Sequence, residues 1–229
     1  MFFDAGETLV HPHPSFTELF AQVLRREGFD VDEAAVAAKV HVIGERFSEA
    51  ARDEELWTTS PSKSQAFWLG VYERFLEELE VPGAPELHAV LYREFTDLAN
   101  YRAFADVRPA LDSLREAGLL LGVVSNFEAW LEGLLDALGM AEDFAVRVVS
   151  GAEGMEKPDP RIYELALERA GVGAQESAFV GDNPEFDVDP PAKLGMFPVL
   201  IDRRGRHPDF DGERITDMRD LPAALGIGA

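Results

Sequence analysis

The chain has 229 residues, of which 46% are hydrophobic, and its formal net charge at pH 7 is −22. This length allows one large domain or two small ones with a substantial core. The negative charge disfavours nucleic acids and anionic membranes as partners, and the lack of cysteine excludes disulfides and thiolate chemistry. No stretch is apolar for long enough to span a membrane and the first residues lack the pattern of a signal peptide, so we expect a soluble, cytoplasmic protein.

The first ten residues contain a short apolar run that leads directly into an aspartate. Phe2 and Phe3 precede Asp4, and a loop containing Gly6 follows. This pattern predicts a buried strand with the Asp4 carboxylate at its carboxyl end, which is where parallel α/β sheets bind ligands. Such a carboxylate is placed to act as a nucleophile or a metal ligand. The alternative is an aspartate that only hydrogen-bonds its own turn.

The next segment, from residue 15 to about residue 100, follows a helical period. Apolar residues recur three and four positions apart, and serine or aspartate stands where a helix would begin. The pattern predicts four helices, at about residues 15–28, 32–47, 67–76 and 85–98. Four helices in some ninety residues form a small bundle, and their aromatic residues are expected in its core.

From residue 106 onward, short apolar runs alternate with helical segments. The predicted strands lie at residues 119–124, 145–149, 177–180 and 197–201. Strands that alternate with helices indicate βαβ units and a parallel sheet covered on both faces. Because the first strand precedes the helical bundle and the other strands follow it, the bundle is predicted to be an insertion into an α/β domain.

Polar residues follow the second predicted strand of the sheet. Ser125 and Asn126 lie between an apolar strand and a helix start. A hydroxyl group and free backbone N–H groups at that position suit an anion. The alternative is an ordinary helix N-cap, for which serine and asparagine are both favoured.

Two later loops carry charged residues that suit a reaction centre. Lys157 precedes a helix in the segment Glu-Lys-Pro-Asp-Pro, where it is either a screen for negative charge in a site or a solvated loop lysine. Asp182 and Asp187 share one loop after a strand. Carboxylate oxygens of this kind suit Mg²⁺, and the alternative is an acidic loop without a ligand in an acidic protein.

The order of these features resembles the haloacid dehalogenase (HAD) superfamily of hydrolases, in the branch with a helical cap after the first motif (subfamily I). The resemblance covers nearly the whole chain and includes the segment Leu111–Gly118. Its most specific motifs are Lys-Pro-Asp-Pro at 157–160 and Gly-Asp-x-x-x-x-Asp at 181–187. The resemblance implies a Rossmann-like parallel sheet core at 1–13 and 105–229, with an inserted four-helix cap at 14–104.

The resemblance also assigns roles to the residues at the strand ends. Asp4 matches the nucleophile, which forms an aspartyl-phosphate intermediate in the phosphatases. Mg²⁺ is implied as the cofactor, bound by Asp4, the backbone carbonyl of Gly6 and Asp182, with Asp187 supporting the metal site.

The same resemblance implies how the substrate is held. Ser125 and Lys157 match groups that bind the transferring phosphoryl group, and Asn126 is a further candidate for binding the substrate. This agrees with the chemistry, because a carboxylate attacks a phosphate dianion poorly unless Mg²⁺ and a lysine neutralise the repulsion. The expected partner is a small-molecule phosphate ester, without nucleic acid or membrane, and the expected state is a monomer or a homodimer.

The first motif departs from the phosphatase pattern. Phosphatases of the family carry a second aspartate two residues after the nucleophile, as acid and base, and here that position is Gly6. Glu7, one position later, is the candidate substitute. Dehalogenases also lack the second aspartate and need no metal, yet the fourth motif keeps both acidic residues of the phosphatases. A Mg²⁺-dependent phosphatase is therefore the leading hypothesis. The alternatives are a metal-independent 2-haloacid dehalogenase and a catalytically weak binding or regulatory protein.

Overall fold

The computed structural model describes residues 1–53, 55–83 and 85–227. The chain divides into two compact units. The first, which we call the core unit, comprises Met1–Val10 and Ala103–Ala229, and the second, the inserted unit, comprises His11–Arg102.

The core unit is built on a six-stranded parallel sheet with helices between its strands. In chain order, the strands of the described residues are β1 (Phe2–Phe3), β2 (Val10–Pro12), β3 (Tyr101–Ala103), β4 (Gly122–Ser125), β5 (Val146–Val149), β6 (Ala178–Gly181), β7 (Phe197–Ile201) and β8 (Arg214–Ile215). The sheet order is β5-β4-β1-β6-β7-β8, and β2 and β3 form a separate pair. All neighbours in the six-stranded sheet are parallel. The predicted α/β fold class is confirmed.

The position of β1 decides where the site lies. This two-residue strand is in the interior of the sheet, where Phe2 pairs with Gly122 of β4 and with Phe179 of β6. Both of its phenylalanines are fully buried. Because β1, β4 and β6 are adjacent and parallel, the residues that follow them meet at one edge of the sheet.

The helices of the core unit pack against this sheet through apolar faces. They are α6 (Val107–Glu116), α7 (Leu131–Ala137), α8 (Ser150–Glu153), α9 (Pro160–Ala170), α10 (Asp189–Leu194) and α11 (Leu221–Ala224). Ile162 and Tyr163 of α9, for example, are completely buried in a cluster with Phe2 and Phe179 of the sheet. Such burial of large apolar side chains is the main stabilising contribution to the core.

The inserted unit is helical around its own aromatic core. Its helices are α1 (Phe16–Arg26), α2 (Glu33–Ala37), α3 (His41–Arg52), α4 (Pro61–Glu78) and α5 (Pro85–Thr96). The rings of Phe16 and Phe95 lie 4.8 Å apart, and Trp57 stacks on Phe67 at 4.4 Å. Across the residues that the structure describes, no helix combines the length and the apolar character needed to cross a membrane.

The prediction of a single helix at 32–47 is wrong, because the structure has two helices, α2 and α3, in this region. Between α2 and α3 the backbone hydrogen bonds shorten to three-residue steps, as in the bond from Lys39 N to Val36 O of 2.9 Å. Val36 and Val42 are both buried in the core of this unit. Residues six apart point in different directions on a straight helix, so the break allows both valines to reach the core. The inserted unit thus has five α-helices among its described residues rather than four.

Candidate active site

Asp4 lies at the carboxyl end of β1, in the middle of the residues that the sequence singled out. Its backbone N–H donates to Val180 O at 2.8 Å, which continues the pairing of β1 with β6. Its side chain is almost fully buried. The last residue of β4, Ser125, donates its hydroxyl to Asp4 Oδ1 at 2.9 Å. The parallel pairing of β4 with β1 therefore brings the predicted serine to the predicted nucleophile.

Lys157 is buried between two of the carboxylates. Its Nζ donates to Asp4 Oδ1 at 2.7 Å and to Asp187 Oδ1 at 2.6 Å, and the ring of Phe179 lies 5.6 Å from it. Burial disfavours the charged form, but the nearby carboxylates of Asp187 and Asp4 outweigh this effect and raise the pKa of the Lys157 ammonium. Lys157 therefore carries a fixed positive charge beside Asp4.

Asn126 holds the lysine loop in place. Its Nδ2 donates to Lys157 O at 2.8 Å, and its Oδ1 accepts from Lys157 N at 2.6 Å. Sequence reasoning assigned this side chain to substrate, but both ends of its amide are bonded to the backbone of the loop. Its role in this structure is to position Lys157.

The loop after β6 supplies the other two carboxylates. A short π-helical turn, Pro184–Val188, carries Asp187 back toward the end of the strand, and such turns often occur at functional sites. Asp187 Oδ2 accepts the backbone N–H of Asn183 at 3.0 Å. Burial raises the pKa of Asp187 to about 6, above its ordinary value, although the attraction of Lys157 opposes this shift. Burial and the charges of Asp4 and Asp187 also raise the pKa of Asp182.

Asp4, Asp182 and Asp187 form a cluster suited to a divalent cation. Each offers a carboxylate oxygen, and these oxygens all lie within 4.8 Å of one another. Three carboxylates with one ammonium leave an excess of negative charge, which is unfavourable in a largely buried place unless a cation or a proton neutralises it. Hard oxygen donors of this kind fit Mg²⁺. Gly6, whose carbonyl is the fourth predicted ligand, lies two residues after Asp4 in the same turn.

Glu7 points to an arginine of another loop. Glu7 Oε2 accepts from Arg204 Nη2 at 2.5 Å. The φ angle of Glu7 is +54°, a left-handed conformation that favours glycine. Glu7, Asp182 and Arg204 line the same small, open cleft. The predicted substitute acid is thus near the carboxylate cluster, but it is ion-paired.

The loop after β7 is the part of the site that sequence reasoning missed. The segment Arg203-Arg204-Gly205-Arg206-His207 follows the strand end at Asp202. A run of cations directly after a strand is conspicuous in a chain with 43 acidic and 21 basic residues. That contrast, together with its place at the carboxyl end of a parallel strand, was the signal available in the sequence.

Comparison with known proteins agrees with this arrangement. A family model described as haloacid dehalogenase-like hydrolase matches residues 1–195. A haloacid dehalogenase-like hydrolase domain-containing protein 3 from Danio rerio is 30% identical, over 97% of this chain and 94% of its own length. A phosphoserine phosphatase from Thermus thermophilus is 30% identical, over 95% of both chains.

A solved structure points to the same family. The crystal structure of an L-2-haloacid dehalogenase is 26% identical and superposes with a TM-score of 0.74, over 100% of this chain and 97% of the other. Fold, site and comparisons thus agree, and the chain belongs to the haloacid dehalogenase-like hydrolase family.

Proposed function

We propose that this hydrolase is a Mg²⁺-dependent phosphatase that acts on a small phosphorylated metabolite through an aspartyl-phosphate intermediate. The observation that carries the proposal is the buried cluster around Asp4, in which Lys157 bonds two carboxylates and a third carboxylate, that of Asp182, completes a metal-binding set. A phosphate ester is an anion, so a carboxylate nucleophile needs this positive charge beside it.

In the proposed reaction, a carboxylate oxygen of Asp4 attacks phosphorus and the bond from phosphorus to the ester oxygen breaks. The leaving oxygen takes up a proton and departs as an alcohol. Water then attacks the phosphorus of the aspartyl phosphate, which releases inorganic phosphate and restores the carboxylate. Ser125 and Lys157 hold Asp4 in position through its Oδ1 atom, and the Lys157 ammonium stabilises negative charge on the phosphoryl oxygens.

Mg²⁺ would be held by Asp4, Asp182, Asp187 and the backbone carbonyl of Gly6. When bound, it neutralises charge on the phosphoryl group and aligns that group with the nucleophile. The excess of buried carboxylates in the cluster supports this assignment.

The leaving-group proton must come from a residue other than residue 6. At position 6 the chain has glycine, which offers no proton. Glu7 is the candidate acid, although its carboxylate is bonded to Arg204 in the structure. We propose that turnover is therefore fastest for substrates whose leaving group needs little protonation.

The second candidate function is a metal-independent 2-haloacid dehalogenase. Gly6 favours it, because a halide leaving group needs no proton, and a dehalogenase is among the solved relatives. The fourth-motif carboxylates, Asp182 and Asp187, favour the phosphatase instead, as does the similarity to a phosphoserine phosphatase over 95% of the chain. The third candidate is a binding or regulatory protein with weak turnover.

A substrate screen tests the proposal. Purified protein is assayed against phosphorylated metabolites and 2-haloacids, with Mg²⁺ and with a chelator. We expect phosphate release that requires Mg²⁺. Halide release without metal would establish the dehalogenase instead, and phosphate binding without turnover would establish the third candidate. Gel filtration of the same sample tests the proposed monomer or homodimer.

Asp4→Asn is the control variant for this screen. The amide is nearly isosteric but is a poor nucleophile, so we expect loss of turnover with an unchanged far-UV circular dichroism spectrum. Mass spectrometry checks that the amide has not reverted to the acid. Wild-type activity in an intact Asn variant would remove Asp4 from the nucleophile role.

A further inference from the structure

The loop after β7, residues 202–207, carries three arginines at the mouth of the proposed phosphatase site; we call it the arginine loop. All three arginines and the histidine of the loop line one cleft, together with Glu7 and Asp182. Asp182 belongs to the carboxylate cluster, so the arginine loop borders the reaction centre within the core unit.

The three arginines have different partners. Arg203 is structural: it bonds Asp106 at 2.7 Å and Thr8 O at 2.9 Å, and it lies 3.9 Å above the ring of Phe104. Arg204 is partly exposed and bonds only the Glu7 carboxylate within the described part of the chain. Arg206 is exposed, and its guanidinium has no ion-pair partner among the described residues. Two arginines are thus accessible from the cleft.

Negative charge on the loop itself does not cancel these arginines. Asp202 accepts the backbone N–H groups of Arg206 at 2.7 Å and His207 at 3.0 Å, and it bonds Arg214 Nη1 at 3.2 Å. These donors already satisfy the Asp202 carboxylate. Of the acidic side chains in the cleft, Glu7 is the one that competes for Arg204.

The Glu7 contact shows that the Arg204 guanidinium can bind a carboxylate. A carboxylate docks on its Nη2 atom at 2.5 Å, and charge-assisted bonds between guanidinium and carboxylate are strong and geometrically specific. Glu7 reaches this place from a left-handed backbone conformation, which is disfavoured for a residue with a Cβ atom. An external carboxylate can dock on Arg204 in the place that the Glu7 side chain now takes.

We infer that the arginine loop recognises a carboxylate on the substrate, with Arg204 as the main contact and Arg206 as a supporting charge. The substrate class is then a phosphate monoester that bears a carboxylate close to the ester. This inference rests on the proposed function, because the phosphoryl group must occupy the site at Asp4. It assigns specificity to the core unit, at a loop that has no part in the phosphoryl transfer itself.

Calorimetry with two phosphonates tests the inference without turnover, because a carbon–phosphorus bond is not hydrolysed at this site. The probes are 3-phosphonopropanoate and propylphosphonate, which differ only in that a carboxylate replaces a methyl group. In the presence of Mg²⁺, we expect wild type to bind the carboxylate probe at least about tenfold more tightly, the typical effect of one charge-assisted pair. Arg204→Ala should bring the two affinities together.

Arg219→Ala is the matched control, since it removes one exposed arginine of the same unit that pairs with Asp217 away from the cleft. It should leave the preference unchanged. Glu7→Gln provides a second test that does not depend on removing an arginine: it frees Arg204 of its competitor and should strengthen binding of the carboxylate probe alone.

The outcomes separate the two proposals. Equal binding of both probes to wild type, or an unchanged preference in Arg204→Ala, would overturn the inference and leave the phosphatase proposal standing. Failure of both probes to bind would count against the phosphoryl site itself, and the inference would fall with it.

Discussion

The carboxyl group of Asp187 occupies the space that a side chain on Gly181 would fill. A Cβ atom placed on Gly181 would lie 2.2 Å from Asp187 Cγ, far inside van der Waals contact. The strand end and the π-helical turn are therefore fitted to each other, and glycine at 181 is needed for that carboxylate to reach Lys157.

Gly181→Ala is the first prediction that follows. The added methyl group must displace the Asp187 carboxylate, and a misplacement of about 1 Å in a reaction centre costs on the order of a hundredfold in rate. We expect at least that loss in kcat/KM. Gly70→Ala is the control, because a Cβ atom at that site of α4 meets nothing within 4 Å. It should keep full activity and stabilise the fold by about 0.5–1 kcal/mol. Equal activity in the two variants would show that Asp187 does not need its present position.

Asp182→Ala tests the metal site. The change removes one of three clustered carboxylates, and since even outer partners of a metal site contribute about 10–100-fold in affinity, a direct ligand should contribute at least that much. Calorimetric titration with Mg²⁺ measures the effect. Glu185→Ala, an exposed acidic residue of the same loop, is the matched control. If both variants bind Mg²⁺ as wild type does, the loop is acidic without being a metal site.

The pKa of Asp187 predicts that the proposed metal binding depends on pH. This carboxyl group has a pKa of about 6 in the folded protein. If the cluster binds Mg²⁺ as proposed, the ion binds the ionised form of Asp187, so that binding below pH 6 releases a proton. The ionised fraction rises about tenfold between pH 5 and pH 7, and the apparent Mg²⁺ affinity should rise at least that much. Calorimetry at the two pH values checks it. In Asp187→Asn this dependence should weaken, and an equally steep dependence there would assign the proton to another group.

Linkage gives the sign of the corresponding change in stability. Because the pKa of Asp187 is higher in the folded state than in the unfolded chain, its protonation stabilises the fold below about pH 4, and this stabilisation is lost as the pH rises through 6. Asp182, whose pKa is also raised, adds a change of the same sign. The quantity to measure, with a chelator present, is the Tm of wild type minus the Tm of Asp187→Asn. This difference should be smaller or more negative at pH 7.5 than at pH 4.5. A constant difference between the two proteins would contradict this assignment.

The sequence predicts the convergence of the site because strand ends are local features. Asp4 and Ser125 each follow a short apolar run, and parallel pairing brings such positions together. The limits of the strands are less predictable, because pairing sets them. The apolar run from Leu119 is predicted as strand, yet β4 begins at Gly122, the residue that pairs with Phe2 of the two-residue β1.

The contacts that the sequence does not predict are those between distant loops. Glu7 and Arg204 are 197 positions apart, and neither periodicity nor turn chemistry carries information about such a pair. The same holds for the bonds of Asn126 to the backbone of Lys157, while the contact of Asn126 with substrate stays a prediction. The short strand β8 escapes prediction because two residues show no alternation.

Gly6→Asp is the last prediction, and the structure shows that a side chain at residue 6 meets neither backbone strain nor a steric clash. The φ angle of Gly6 lies outside the left-handed region, and a Cβ atom there would be 3.8 Å from Phe127 Cε2, an ordinary contact. An aspartate can therefore be accommodated. If the enzyme is a phosphatase without a well-placed acid, the new carboxyl group should protonate the leaving oxygen. General acid catalysis is worth about a hundred- to ten-thousand-fold, so we expect part of that gain for alkyl phosphates and little for nitrophenyl phosphate.

The ratio of alkyl-phosphate to nitrophenyl-phosphate activity is the quantity to measure. Gly6→Asn is the matched control, because its side chain has the same shape and cannot transfer the proton, so only the Asp variant should raise the ratio. Glu7→Gln completes the set: a selective loss of alkyl-phosphate activity would identify Glu7 as the acid that replaces the missing aspartate, once it leaves Arg204. If none of the three changes alters the ratio in a folded protein, protonation of the leaving group does not limit turnover here. The proposal that Gly6 leaves the enzyme without a well-placed general acid would then be wrong. A substrate whose leaving group needs no proton, such as a halide, would fit this site better.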